Sequence, residues 1–148
     1  IRPSIASSKI IEDSSGNLRS LDNLIMKGDA VFNFVVREVP PMIEDVCCAA
    51  HVPIDAIDHF ILHQPNAFIL KKVAKKLNIP LSKMPHELVS THGNSSGVSI
   101  PAVMCTSFDR RDFKITKKLC FAGFGVGLSW GAIVMDICGL EFLSTVEV

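Results

Sequence analysis

The feature that most constrains this chain is a rhythm of short apolar runs, each halted abruptly by polar or glycine residues. Asp58 to Leu62 stops at His63-Gln64-Pro65-Asn66, and Glu87 to Ser90 stops at Thr91-His92-Gly93-Asn94. Lys118 to Phe124 runs into Gly125-Val126-Gly127. Runs of this length suit buried strands rather than helices. The stretches between them have helical spacing, so strand, helix, strand, helix, strand implies parallel pairing through right-handed crossovers. A fourth run, Leu128 to Cys138, follows glycines at 125 and 127 that permit a tight reversal, which predicts an antiparallel hairpin strand. Both its faces are apolar, so it is predicted to be covered on both sides. The fold class is therefore α/β: a mixed, mostly parallel sheet with helices on both faces and a C-terminal antiparallel hairpin strand.

The helical segments carry their own signals. Asp29 is placed to cap a helix whose apolar face is Val31, Phe32, Val35, Val36 and Val39. Pro40-Pro41 is expected to break or kink it, with a second helix from Met42 to Ala50. Pro65 suits the first turn of the next helix. There Leu70, Val73, Ala74 and Leu77 share one face, Lys71, Lys72, Lys75 and Lys76 the other, and Asn78-Ile79-Pro80 stops it. A last helix is predicted from Ser99 to about Phe108. Residues 1–28 are poorly patterned, with a short strand at Lys9 to Glu12 and a turn at Asp13 to Asn17. They read as a connecting arm, with residues 29–148 as the domain proper. The start, Ile1-Arg2-Pro3-Ser4, is neither an initiator Met nor a signal peptide, which predicts a piece of something longer.

Fifteen basic residues balance fifteen acidic ones, so no net field draws the chain to nucleic acid or to a membrane. No apolar run approaches the roughly 18 residues a transmembrane helix needs. Five cysteines, 47, 48, 105, 120 and 138, lie in apolar stretches without C-x-x-C spacing. They are expected to be buried thiols in a reducing, cytoplasmic compartment, forming neither a disulfide frame nor a metal site.

In open α/β sheets, ligands gather outside the carboxyl ends of the strands. His63, His92 to Asn94 and Gly123 to Gly127 all fall at such ends, which makes that edge the candidate site. Several familiar chemistries fail there. Gly93-Asn94-Ser95-Ser96-Gly97 fits the G-x-S-x-G elbow, but no histidine follows His92 to complete a hydrolase triad in the required order. Gly123-x-Gly125-x-Gly127 precedes a strand, and Trp130 stands where a dinucleotide fingerprint needs its third glycine. His59 and His63 lack the H-E-x-x-H glutamate of a zinc site. Asn94-Ser95-Ser96 is formally a glycosylation sequon, without meaning for a cytoplasmic chain. His51, His59 and His86 read as structural.

Three ordered motifs then carry a resemblance. Ile61-Leu62-His63-Gln64-Pro65-Asn66, His92-Gly93-Asn94-Ser95-Ser96-Gly97-Val98-Ser99-Ile100-Pro101 and Gly123-Phe124-Gly125-Val126-Gly127-Leu128-Ser129-Trp130-Gly131 together resemble the carboxy-terminal half of β-ketoacyl-acyl-carrier-protein synthase III. Met26-Lys27-Gly28 looks like the lead-in to that half. The resemblance implies the thiolase fold, two similar α/β halves in one subunit that usually dimerises. It implies acyl transfer from a coenzyme A thioester to a cysteine on the missing N-terminal half, then decarboxylating Claisen condensation with a malonyl thioester on acyl carrier protein. No bound cofactor or metal is implied; the thioesters are substrates.

By the same resemblance His63 and Asn94 hydrogen-bond the malonyl thioester carbonyl, His63 donating through an N–H for which a neutral imidazole suffices. Phe124 flanks the nucleophile, and backbone at Gly125 and Val126 serves the acyl oxyanion. Gln64 and Asn66 are secondary candidates. The sequence departs from the family at Pro65, commonly alanine, at Val126, usually glycine, and at Phe68, where such synthases place an arginine. Valine at 126 predicts strain if that position needs a positive φ. The lysines at 71, 72, 75 and 76 form a face that an acidic carrier protein or plain solvent would suit. No cysteine here stands at a polar helix N-terminus, so the piece alone is expected to be inert. The alternative is a remnant of this fold that binds carrier protein or dimerises without turnover.

Overall fold

The computed structural model describes residues 4–23, 26–141 and 143–146. Ile1 to Pro3, on which the expectation of a severed start rests, lie outside the described residues. The chain divides into two compact units, Ile1–Val31 and Phe32–Val148.

The first unit holds a two-stranded antiparallel ribbon, β1 (Ile11–Glu12) and β2 (Leu18–Arg19), in the register Ile11 to Arg19. Asp13 builds the turn between them. Its Oδ1 accepts the backbone N–H groups of Ser15 and Asn17 at 2.8 and 2.9 Å, and these bonds, Asn17's first, hold its carboxyl below the usual range. Gly16 takes the positive φ of +79° that the turn requires.

The second unit is built on a three-stranded sheet in the order β3–β4–β5. β3 (His59–Leu62) runs parallel to β4 (Lys117–Gly125), and β4 pairs antiparallel with β5 (Ser129–Ile137). One face of the sheet, with Ile61 and Leu119, forms a core with Leu88, Val103, Met104 and Phe113. The other carries Phe60, Leu62, Cys120 and Ala122, all buried. On that side lies α1 (Gly28–Ala49), whose Cys47 sulfur lies beside that of Cys120 and whose Phe34 ring meets Trp130 edge-on at 5.0 Å. Helices therefore cover both faces, as the sequence predicts.

α1 differs from expectation. It is one helix of 22 residues that continues through Pro40 and Pro41, and Asp29 lies in its first turn. A proline inside a helix removes the N–H that would reach the carbonyl four residues back. For Pro40 that carbonyl belongs to Val36, and the Lys76 ammonium takes it at 2.9 Å. The buried stripe Val35, Val39, Ile43 and Cys47 continues across the prolines at a four-residue step, so packing holds the direction of the helix. It ends in a Schellman turn: Val52 N–H donates to Cys47 O and His51 N–H to Cys48 O, with His51 at φ 54°.

α2 (Ala67–Lys76) begins two residues beyond Pro65, capped by Asn66, whose Oδ1 accepts from Ile69 N–H at 2.8 Å. Its buried and lysine faces fall as the spacing predicts. The predicted strand at 87–90 does not form. Leu88–His92 is a short helix, α3, followed by α4 (Ser99–Ser107). Only Leu88 of that run is fully buried, and the Thr91 hydroxyl donates back to its carbonyl at 3.0 Å. Without alternating burial, nothing holds the segment extended.

Two further expectations are corrected. β5 is an edge strand in this chain: Trp130 is 46%, Ile133 53% and Met135 42% exposed, so its apolar faces are not both covered. Of the cysteines only Cys47 and Cys120 are buried; Cys105 is half-buried, Cys48 and Cys138 are exposed, and all are free thiols. Cys48 follows Cys47 by one residue, which turns it about 100° away from the core on a helix. Among the described residues no helix is long and apolar enough to cross a membrane.

Candidate active site

Parallel pairing brings the carboxyl ends of β3 and β4 to one edge. His63 follows β3 directly and extends the ladder, its N–H donating to Ala122 O at 2.9 Å. Phe124 lies near the end of β4, buried, with its ring edge-on to the His63 imidazole at 5.4 Å. The second predicted break, Thr91 to Asn94, ends α3 rather than a strand. Gly93 reverses the chain there at φ 70°, and the loop then turns into α4.

That loop is held by its own side chains. Asn94 Oδ1 accepts Ser96 N–H at 2.9 Å, and Ser96 sits at φ 54°, a left-handed conformation that a serine adopts only under constraint. The Ser96 carbonyl accepts from the Ser99 hydroxyl at 2.8 Å. Ser99, 1% exposed at the start of α4, lies 2.7 Å through Oγ from His63 Nδ1. A continuous run of hydrogen bonds thus links His63 to Asn94 through Ser99 and Ser96. Asn94 Nδ2 and His63 Nε2 have no hydrogen-bond partner among the described residues, and neither is sealed from solvent. Burial lowers the pKa of His63, opposed by the Ser96 carbonyl.

The secondary candidates direct their polar groups at the backbone. Gln64 is fully buried and its Nε2 bridges Leu62 O at 3.0 Å and Pro85 O at 3.1 Å, while Oε1 has no partner among the described residues. Asn66 caps α2. At the β4–β5 reversal Val126 is 91% exposed and is not among the non-glycine residues at positive φ, so the strain expected there is absent. Gly127 is the constrained position: at φ 146°, an added Cβ would stand 2.7 Å from Ser129 N. Gly125 has open space around its Cβ position.

Sequence reasoning treated Ser99 only as the start of a helix. The signal for more was a serine five residues beyond Asn94, which the loop folds back beneath the histidine. Burial pushes the Cys120 thiol up to about 12, with the Cys47 sulfur beside it adding to the rise, and burial likewise raises Cys47. Neither is a thiolate at neutral pH, so neither has the form of a nucleophile. Among the described residues no three His, Cys, Asp or Glu side chains cluster as metal ligands do.

Known proteins resemble this chain in sequence and fold. Over 116 residues the chain is 38% identical to a beta-ketoacyl-[acyl-carrier-protein] synthase III of Streptococcus gordonii, covering 77% of this chain and 36% of that protein. Over 114 residues it is 40% identical to the protein of the same name from Porphyra umbilicalis, covering 77% and 35%. The chain therefore spans about a third of the length of these relatives. The crystal structure of a 3-oxoacyl-(acyl-carrier protein) synthase from Burkholderia xenovorans LB400 superposes with a TM-score of 0.82 at 34% identity, over 88% of this chain and 37% of that one. The fold is thus the thiolase-like α/β half. Residues 47–137 match the family described as 3-Oxoacyl-[acyl-carrier-protein (ACP)] synthase III C terminal, and this chain belongs to that family.

Proposed function

We propose that the chain is the carboxy-terminal half of a 3-oxoacyl-[acyl-carrier-protein] synthase III-like acyltransferase, in which His63 and Asn94 bind the malonyl thioester carbonyl during decarboxylating condensation. The observation that carries this reading is the hydrogen-bond run from His63 through Ser99 and Ser96 to Asn94. It fixes both side chains relative to one loop and leaves one nitrogen of each unengaged.

The chemistry needs such a pair. As the C–C bond to the malonyl carboxylate breaks, CO₂ leaves and its electron pair moves into an enolate whose oxygen gains charge. Two fixed donors stabilise that oxygen most in a dry site, and removing one typically costs about 10²–10³ in rate. The enolate carbon then attacks the acyl carbonyl of an acyl-cysteine, and the cysteine thiolate leaves. That cysteine would stand on the N-terminal half of the enzyme. Phe124, packed against His63, keeps water from one side of the ring, and backbone at Gly125 and Val126 would face the acyl oxyanion. The exposed Trp130, Ile133 and Met135 of β5 fit packing against the remainder of such an enzyme or a second copy.

The substrates on this reading are acyl-coenzyme A and malonyl-acyl-carrier protein, in the cytoplasm, with no bound cofactor. Lys71, Lys72 and Lys75 offer an exposed basic face of α2 to an acidic carrier protein. The alternative of a non-catalytic remnant rested on strain at Val126, and no observation now favours it. The test is malonyl decarboxylation and condensation by the full-length protein carrying His63→Ala or Asn94→Ala. A fall of about 10²–10³ in either variant is expected. Turnover near wild type in both would overturn the assignment.

A further inference from the structure

The Ser99 hydroxyl has three hydrogen-bonding neighbours and only one proton. Its Oγ lies 2.8 Å from the Ser96 carbonyl oxygen, 2.7 Å from His63 Nδ1 and 3.4 Å from the Gln64 backbone nitrogen. A carbonyl oxygen only accepts and a backbone N–H only donates; a hydroxyl offers one donor and two lone pairs. If Ser99 gives its proton to Ser96, its lone pairs receive Gln64 N–H and His63 Nδ1–H, and every contact is satisfied. If it gives the proton to Nδ1 instead, the Ser96 oxygen faces a lone pair at 2.8 Å. Ser99 is buried, so the poorer arrangement is costly there.

We propose that Ser99 is a positioning residue that fixes the neutral His63 ring as its Nδ1–H tautomer, leaving a lone pair on Nε2 toward the site. The consequence rests on the reading of His63 as a donor to the thioester oxygen. A neutral ring of this tautomer has no N–H at Nε2 to donate, so His63 becomes a donor only on taking a proton from solvent there. The ring is faced by the Ser99 hydroxyl, the Ser96 carbonyl and the Phe124 edge, and no charged side chain among the described residues contributes to its titration. The charge that favours the imidazolium is then the substrate's own carboxylate, since a nearby anion stabilises the protonated ring. Malonyl binding arms the donor that its decarboxylation uses.

The test is nitrogen NMR of the full-length protein labelled at the histidine ring nitrogens, with the His63 signals identified by their loss in His63→Gln. Above the titration of the ring, Nδ1 is expected in the protonated range and Nε2 in the unprotonated range. Ser99→Ala is expected to move the ring toward a mixture of tautomers, and Ser99→Thr to restore the wild-type pattern. An Nε2–H tautomer in the wild type overturns the proposal, as does a Ser99→Ala spectrum unchanged from wild type. Should Ser99→Ala fail to fold, the wild-type and Ser99→Thr spectra still decide it. An Nε2–H tautomer together with lost decarboxylation in His63→Ala defeats only the role of Ser99. An Nδ1–H tautomer together with unimpaired decarboxylation in His63→Ala defeats only the donor reading.

Discussion

Lys76 donates at 2.9 Å to the Val36 carbonyl, the acceptor that Pro40 leaves without its helical N–H. A lysine that looks like part of a solvated or partner-facing patch is thereby tied to the neighbouring helix. The contact is exposed, so Lys76→Met is expected to cost only about 1 kcal/mol. Pro40→Ala returns an N–H to Val36, and in that background the cost of Lys76→Met should nearly vanish. Urea unfolding of the two single variants and the double variant measures this coupling. Additive losses would mean that Lys76 stabilises α2 by some other route.

His51 occupies the left-handed position that closes the Schellman turn of α1, at φ 54°. A side chain there costs roughly 1–2 kcal/mol that glycine avoids. The imidazole is exposed, so little packing is lost on replacement. His51→Gly is expected to raise the unfolding midpoint, the gain reduced somewhat by the greater freedom of glycine in the unfolded chain. Chemical denaturation of the two proteins is the measurement.

The β4–β5 reversal separates two glycines that look alike in sequence. A Cβ at Gly127 would meet Ser129 N at 2.7 Å, whereas at Gly125 it would meet nothing within 4 Å. Gly127→Ala is therefore expected to destabilise by at least the roughly 1–3 kcal/mol of a forced backbone conformation. Gly125→Ala should be close to neutral for stability. Thermal melts of both variants test the contrast, and equal losses would refute it.

The sheet and its edge were legible because β3 and β4 are bounded by unmistakable breaks at His63 and Gly125, and burial favours their apolar runs as strands. The run at 87–90 misled because four residues cannot distinguish a strand from one turn of helix. Only the burial of Leu88 alone, a tertiary fact, decides between them. Pro40-Pro41 misled for a related reason: the group that satisfies Val36 lies 40 residues away in sequence. The pairing of His63 with Asn94 entered through a resemblance. The serines that physically connect them could not be ranked above others in a chain whose long-range contacts were unknown.

Two half-buried histidine rings predict how stability follows pH. Burial lowers the pKa of His59, opposed by Asp58 and reinforced by Lys117 and Lys83, and its Nδ1 is enclosed with no hydrogen-bond partner among the described residues. Burial lowers that of His63 as well. In the unfolded chain both titrate near the ordinary value of 6.5. Above that value both rings are neutral in either state, and their contribution does not change with pH. As pH falls below 6.5 the unfolded chain binds protons that the folded chain resists, so the stability slope with pH is positive and stability drops. The loss continues until the folded rings themselves protonate. His59→Phe keeps an aromatic ring beside Phe108, 4.8 Å away in the wild type, and removes one of the two groups. Its denaturation midpoint should therefore fall less steeply than that of the wild type as pH drops below 6.5. Parallel curves from a series of urea titrations across that range would show that the enclosed His59 ring carries none of the acid sensitivity.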